Sequence, residues 1–242
     1  MFSIIIPAYN EEKYILPCLE SIKKLQGNFN YEVIVVNNAS TDDTAGVVKR
    51  TLPEAKVVFE PRKGLTIAYN RGAKEAKGDI LVFVDADMAL PSNHLERINK
   101  EFSRDPELVA VSGPYIYKDG GLLCHLLTAS AYLFLAMPAE IIFNRWLNLG
   151  ASLASGNSSI KKKALEKAGW FNEKIFYGLE PNLAMRLKKK GKVRFKYYLS
   201  AESSARRFKK EGLIKSLFKY SINTIWPILF GKPFTRKYKD IR

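Results

Sequence analysis

Two carboxylates, Asp85 and Asp87, directly follow the apolar run Ile80–Val84, with no Lys or Arg next to them in the chain. Carboxylates held this close repel unless a cation neutralises them, and their hard oxygens suit Mg2+ or Mn2+ carrying a diphosphate. The run before them is too short for a helix and reads as a strand buried on both faces. The carboxyl end of such a strand is where open α/β sheets put their ligand crevice. With a side-chain period of two, both carboxylates are expected on one side. The plainer alternative is a pair of solvated loop aspartates.

The elements that must hold this pair come in alternation. Phe2 to Ile6 is an apolar strand that ends in Pro7-Ala8-Tyr9-Asn10-Glu11-Glu12, and a helix follows with Ile15, Leu19, Ile22 and Leu25 at helical spacing. Val33 to Val36 is a second buried strand. After it, Ser40 or Thr41 can cap a helix carrying Asp42 and Asp43 in its first turn. Lys56 to Phe59 is a third strand, and a helix starting near Arg62-Lys63-Gly64-Leu65 runs to a stop at Gly78. Beyond Pro91 come a helix through Leu95, Ile98 and Phe102 and a strand from Leu108 to Gly113. Strands alternating with helices over short links predict a doubly wound, mostly parallel sheet with helices on both faces.

Composition narrows the class. With 242 residues, 47% hydrophobic, the chain can bury one large α/β domain with an appendage. Cys18 and Cys124 form no metal spacing or disulfide framework, and with only His94 and His125 a histidine metal site or triad is disfavoured. No G-x-G-x-x-G follows the first strand and no G-x-x-x-x-G-K-[ST] occurs, which argues against dehydrogenases and P-loop NTPases. Charge is lopsided: residues 160–242 hold 23 Lys/Arg against 6 Asp/Glu, whereas residues 1–159 hold 16 against 18. An anionic partner is expected for the last third, either nucleic acid or acidic headgroups, and no nucleic-acid-reading motif is present. Because the first residues enter a strand directly, without a signal-peptide pattern, a cytoplasmic protein is expected.

Four ordered segments, Ser3-Ile4-Ile5-Ile6-Pro7-Ala8-Tyr9-Asn10-Glu11, Val35-Val36-Asn37-Asn38-Ala39-Ser40-Thr41-Asp42, Asn70-Arg71-Gly72-Ala73 and Phe83-Val84-Asp85-Ala86-Asp87, together resemble family-2 inverting glycosyltransferases of the GT-A fold. The match covers roughly the first 115 residues and resumes at Gly156. By position, the resemblance implies that Pro7, Ala8, Tyr9, Glu11 and Asn38 line the nucleoside, that Lys63 stands near it, that Asp85 and Ala86 contact the donor, and that Asp85 and Asp87 hold Mg2+ or Mn2+. Asn37-Asn38 replaces the family's usual Asp-Asp. An amide at Asn38 can accept from N3–H of uracil, whereas guanine offers two donors, which tilts the expectation towards a uridine donor.

On the acceptor side, Gly156-Asn157 and Gly169-Trp170-Phe171-Asn172-Glu173 resemble further family segments, and Gly178-Leu179-Glu180-Pro181-Asn182-Leu183 looks like the family's G-E-D-x-D-L. Alignment on the following Leu and Arg places Glu180 at the catalytic base, with Leu179 and Asn182 as departures. Alternatively, Glu180 only caps a helix that Pro181 begins. Ser203-Ser204-Ala205-Arg206-Arg207-Phe208 resembles a segment of membrane-associated members, in which Arg206 or Arg207 would clamp phosphate. Residues 122–149 are greasy but repeatedly interrupted by polar residues, and residues 213–230 interleave Leu, Ile, Phe and Trp226 with Lys215 and Lys219. The tail suits either a helix lying in a headgroup layer or one packed on the domain.

The expectation is therefore a GT-A domain with C-terminal amphipathic helices, divided into a nucleotide-sugar half (1–115), an acceptor half (116–205) and a basic tail (206–242). Its expected activity is metal-dependent transfer of a sugar to a glycan or a polyprenyl phosphate at an anionic membrane surface. The rivals are a non-catalytic nucleotide-sugar-binding relative and a nucleotidyltransferase, which would ordinarily carry a Gly-rich loop after the first strand.

Overall fold

The computed structural model describes residues 1–131, 153–175 and 179–213, together with scattered positions at 134, 142 and between 215 and 226. Most of the greasy stretch 122–149 and of the tail segment 213–230 lies outside these residues.

Seven strands form the main sheet: β1 (Phe2–Ala8), β2 (Tyr31–Asn37), β3 (Lys56–Phe59), β4 (Ile80–Val84), β6 (Leu108–Ser112), β8 (Asn157–Lys161) and β9 (Lys192–Phe195), in the order β3-β2-β1-β4-β8-β6-β9. β1 to β4 are mutually parallel and β6 is parallel to β9, whereas β8 runs antiparallel between β4 and β6. Their residues alternate between two cores. Ile4, Ile6, Val82 and Val84 face α1 (Ile15–Lys23), α2 (Thr44–Thr51) and α4 (His94–Arg104). Ile5, Leu81 and Phe83 face α3 (Leu65–Glu75), α6 (Lys162–Lys167) and α7 (Leu179–Lys188). This double burial is why the strands read as unbroken apolar runs rather than alternating ones. α3 lies so close to β1 that a Cβ at Gly72 would come within 2.5 Å of Ile5 Cγ2.

The sequence did not mark β8. Asn157-Ser158-Ser159-Ile160-Lys161 has no strand pattern, yet Asn157, Ser158 and Ser159 are buried at the sheet centre. Hydrogen bonds make this tolerable: the Asn157 amide donates to Leu199 and Pro114 carbonyls (2.8 and 3.3 Å) and Ser158 Oγ donates to Ser155 O (3.0 Å).

A second small sheet joins β5 (Met88–Ala89), β10 (Ala201–Ser203) and β7 (Tyr115–Ile116), with β10 in the middle. It matters out of proportion to its size. β10 pairs Ser203 with Met88 immediately after the Asp85–Asp87 turn, and Ser204 N–H donates to Asp87 O at 3.2 Å, so the chain entering α8 (Arg206–Glu211) is delivered onto that turn. The base of α8 packs through Ala205 and Phe208 against Cys124 of α5 (Gly121–Ala131). Both cysteines are free and buried. Among the described residues no helix is long and apolar enough to cross a membrane.

Candidate active site

The carboxyl ends of β1, β2 and β4 lie side by side and carry the residues marked in the sequence. The turn after β1 is clasped to the turn after β2: Asn10 N–H donates to Ser40 Oγ (3.1 Å), Thr41 N–H to Asn10 Oδ1 (2.8 Å) and Glu11 N–H to Thr44 Oγ1 (2.8 Å). Each turn contains a non-glycine residue in the left-handed region, Asn10 at φ 51° and Ala39 at φ 59°. Such backbone persists only where its surroundings over-determine it. The expectation that Ser40 or Thr41 caps α2 is corrected here. Asp42 Oδ1 accepts the Thr44 N–H at 3.0 Å, while Ser40 and Thr41 are engaged by the Asn10 turn.

Pro7 and Ala8 are buried in β1, and Tyr9 is half-buried beyond it, with its hydroxyl accepting from Lys63 Nζ at 2.6 Å. Asn38 has both amide donors committed to neighbouring carbonyls. Its Nδ2 donates to the carbonyls of Glu60 (3.1 Å) and Arg62 (2.7 Å), and its Oδ1 accepts from Gly64 N–H at 2.8 Å. The amide therefore holds the 60–64 segment in place and keeps only one lone pair of Oδ1 for a base.

At β4 the strand ends at Val84, and Asp85–Asp87 form a turn closed by Met88 N–H to Asp85 O at 3.0 Å. The period of two stops with the strand, so the turn rather than strand alternation sets where the two carboxylates lie. Asp85 Oδ1 accepts a 2.6 Å hydrogen bond from the Tyr69 hydroxyl on α3. Asp87 Oδ2 lies 3.0 Å from Arg206 Nε, next to Glu11 and Tyr14 at the start of α1. The cation absent from the local sequence is thus supplied by a residue far along the chain. Arg206 also makes a two-pronged pair with Glu11, 2.6 Å at each prong, and its guanidinium lies 4.6 Å from the Tyr14 ring centre. Burial opposes its charge, but the Glu11 hydrogen bonds and Asp87 outweigh that and hold its pKa above the usual arginine value. Arg207 instead pairs with Glu211 on its own helix, 4.0 Å away. Beneath this cluster the Cys18 thiol is pushed up first by burial and then by Asp87, Asp85 and Glu11, whose fields converge on it.

Asp85 also touches the acceptor side. Its N–H donates to Gly156 O at 3.2 Å, and a Cβ on Gly156 would come within 2.1 Å of Asp85 Oδ2, so only glycine leaves room for this carboxylate. One residue earlier, Ser155 Oγ donates to Glu180 Oε1 at 2.8 Å, and Gly156 N–H donates to the Tyr115 hydroxyl at 3.1 Å. Burial raises the Glu180 carboxyl above its usual value, with its own backbone N–H and the Ser155 hydrogen bond opposing. The Asn182 departure has a structural account: Asn182 Oδ1 accepts from Arg186 Nε and Nη2 at 3.2 and 3.1 Å, while Arg186 Nη1 braces the Ala168 and Trp170 carbonyls.

Asp85 and Asp87 have the oxygen chemistry that Mg2+ and Mn2+ take, and the guanidinium resting on Asp87 marks that carboxylate as a seat for positive charge. Among the described residues no group of three His, Cys, Asp or Glu side chains is placed as a ready-made cage. Two carboxylates completed by diphosphate oxygens and water fit the way Mg2+ is ordinarily held.

The description Glycosyl transferase family 2 matches residues 3–169, more than half the chain. The chain belongs to that family. A dolichyl N-acetyl-alpha-D-glucosaminyl phosphate 3-beta-D-2,3-diacetamido-2,3-dideoxy-beta-D-glucuronosyltransferase from Methanococcus voltae is 26% identical over 187 residues, covering 73% of this chain and 51% of that relative. The chain thus spans about half the length of this curated relative. Two solved structures share the fold. The mannosyltransferase PcManGT from Pyrobaculum calidifontis, in complex with GDP-Man and Mn2+, aligns with a TM-score of 0.65 and 23% identity over 96% of this chain and 65% of its own. Glucosyl-3-phosphoglycerate synthase from Mycobacterium tuberculosis, in complex with Mn2+, UDP and phosphoglyceric acid, aligns with a TM-score of 0.66 and 22% identity over 95% and 77%. The fold is thus the GT-A arrangement expected from the motifs.

Tyr69, Ser155 and Tyr115 were not marked as site residues in the sequence. Tyr69 belongs to an apolar helical stripe with Ala73 and Ala76 and reads as core, which it also is. The Glu11–Arg206 pair joins residues 195 apart in sequence, and no local pattern announces it.

Proposed function

We propose that this domain transfers a sugar from a nucleotide-sugar donor to an acceptor with inversion at the anomeric carbon. The observation that supports the reading is that the Asp85 carboxylate abuts Gly156 while Glu180 accepts from the adjacent Ser155 hydroxyl, so two carboxylates far apart in the sequence flank the same pair of residues. Residues 1–115 supply the donor side, with Pro7, Ala8, Tyr9, Asn38 and Lys63 around the nucleoside and Ala86 in the floor. Residues 116–205 supply the acceptor side, and 206–242 a basic appendage.

A divalent cation, Mg2+ or Mn2+, held by Asp85 and Asp87 would neutralise charge on the departing nucleoside diphosphate. Glu180, raised by burial, takes the proton of an acceptor hydroxyl as that oxygen attacks from the face opposite the diphosphate. A polyprenyl phosphate acceptor is already anionic and needs no base, which makes Glu in place of the family's Asp tolerable. Uridine is the proposed base, on the ground that Asn38 offers a single acceptor. The relatives named above act on a dolichyl phosphate-linked sugar or bind UDP or GDP-Man, so both donor classes belong in the test.

The test is a screen of UDP- and GDP-sugars with Mn2+, with and without a polyprenyl phosphate, reading released nucleoside diphosphate. Asp87→Ala is expected to abolish Mn2+-dependent binding of UDP in calorimetry, and Glu180→Gln to lower kcat by about 10²-fold on a hydroxyl acceptor while leaving donor affinity intact. Release from no donor, or undiminished Mn2+-dependent binding by Asp87→Ala, overturns the reading.

A further inference from the structure

Arg206 is the one guanidinium set on both Glu11 and Asp87 among the described residues, and its surroundings give it a choice of partners. Glu11 is 1% exposed and grips it through two 2.6 Å hydrogen bonds, whereas Asp87 is 15% exposed and pairs with it through Nε, at 3.0 Å. The two anions are therefore unequal: the fork–fork pair is fixed and the Asp87 contact is the exchangeable one. Arg206 also borders a cleft of about 250 Å3 lined by Asn10, Glu12, Lys13, Tyr14, Asp42 and Lys210, so one side of the guanidinium is reachable from outside.

We propose that Arg206 couples binding of the divalent cation to binding of the donor diphosphate. This rests on Asp87 being the donor-site metal ligand. While no diphosphate is present, the guanidinium neutralises Asp87 and repels a second cation, so the metal alone binds poorly. A diphosphate gives Arg206 a replacement anion within reach of the Glu11 hinge. Asp87 is then released to the metal, and the guanidinium lies on the phosphate oxygens. Arg206 thus positions charge for both ligands and makes each bind better in the presence of the other, a reciprocity that linkage requires.

Arg206 can be replaced without detaching its helix. Asp119 accepts from Ala205 N–H (2.7 Å) and Ser204 Oγ (3.1 Å), and Ala205 and Phe208 pack on Cys124, all independent of the guanidinium.

The experiment measures affinity for Mn2+ alone, for UDP and GDP alone, and for each nucleotide at saturating Mn2+, by calorimetry and Mn2+ electron paramagnetic resonance, on the full chain and on Arg206→Gln. Arg206→Gln is expected to bind Mn2+ alone about tenfold more tightly and the nucleotides at saturating Mn2+ about tenfold more weakly, each change matching the loss of one close charge contact. The metal–nucleotide coupling factor falls accordingly. Adding Asp87→Asn must erase the Mn2+ gain, and Arg206→Lys, which keeps charge but loses the fork, must fall between. A residue that merely anchors α8 could weaken both ligands but could not strengthen Mn2+ binding. If Arg206→Gln leaves Mn2+ affinity unchanged or weaker while the parent binds Mn2+ and nucleotide, the coupling role is wrong and the proposed function stands. If the parent binds neither, both fall.

Discussion

At the residue scale, the arrangement of Asp85 depends on a hydroxyl that the reaction never consumes. Tyr69 is fully buried, stacked on Phe171 with ring centres 5.0 Å apart and edge-on to Phe83 at 5.1 Å, and burial followed by the field of Asp85 pushes its pKa well above the ordinary tyrosine value. It therefore stays protonated and donates to Asp85, fixing the carboxylate that also abuts Gly156. Tyr69→Phe keeps the ring stack and removes only that bond. The variant is expected to fold with a stability loss of about 1.5–3 kcal/mol, typical of a hydrogen bond to a charged group. Its affinity for UDP at saturating Mn2+ should fall several-fold while affinity for nucleotide without metal does not change. Equal weakening with and without Mn2+ would mean that Tyr69 shapes the pocket generally rather than orienting Asp85.

At the scale of elements, α4 illustrates what the sequence discloses and what it conceals. Its apolar stripe of Leu95, Ile98 and Phe102 is legible at helical spacing, and the helix forms at His94–Arg104. His94 itself is 2% exposed with Nδ1 unpartnered, and burial, aided by Arg97, lowers its pKa to about 4. The unfolded chain, titrating near 6.5, binds a proton that the folded chain refuses between those values, so this group makes stability fall as pH drops from about 6.5 towards 4. The slope integrates to at most about 3 kcal/mol. Urea melts at several pH values should show the loss, and His94→Leu should flatten that part of the profile. A profile unchanged by the substitution would assign the slope to other groups. The same division holds across the fold. β1 to β4 and α1 to α3 were readable because their apolar residues repeat at intervals of one element. β8 was not, because it buries serines and Asn157 in place of apolar residues, and what makes Asn157 tolerable there is a pair of carbonyls, Pro114 and Leu199, from distant parts of the chain. The candidate site residues at strand ends stood out for a similar local reason. The charge beside Asp87 and the hydrogen bonds of Asn38 to the 60–64 segment depend on contacts between distant segments and have no local signature, whereas the Asn182–Arg186 pair is an i,i+4 contact within one helix.

At the scale of the molecule, charge and apolar surface fall on the same side of the chain's organisation. The last third carries the whole positive surplus, and α8, with Lys209 and Lys210 in its last turn, packs on α5, where Leu122 is 75% and Leu126 53% exposed. Phe218, further along the tail, is 69% exposed. Apolar side chains in water beside a basic helix fit a surface that is greasy below and anionic above, because buried apolar area and electrostatic attraction both add to interfacial binding. The expectation is that the region around α5, α8 and the tail docks the domain on an anionic membrane, presenting the Asp85–Glu180 site to a lipid-borne acceptor. Each Lys or Arg close to the surface should contribute about 1 kcal/mol. A Debye length of about 8 Å at physiological salt restricts that contribution to the nearest residues. Co-sedimentation with liposomes of rising phosphatidylserine content should therefore increase with anionic lipid and weaken, without vanishing, as salt rises. Leu122→Ser with Leu126→Ser should remove the salt-resistant part, and truncation after Gly212 should remove much of the salt-sensitive part. Equal partitioning by the full chain and both variants would mean that these leucines and the tail are not the docking surface, and the case for a lipid-borne acceptor would then rest on the active site alone.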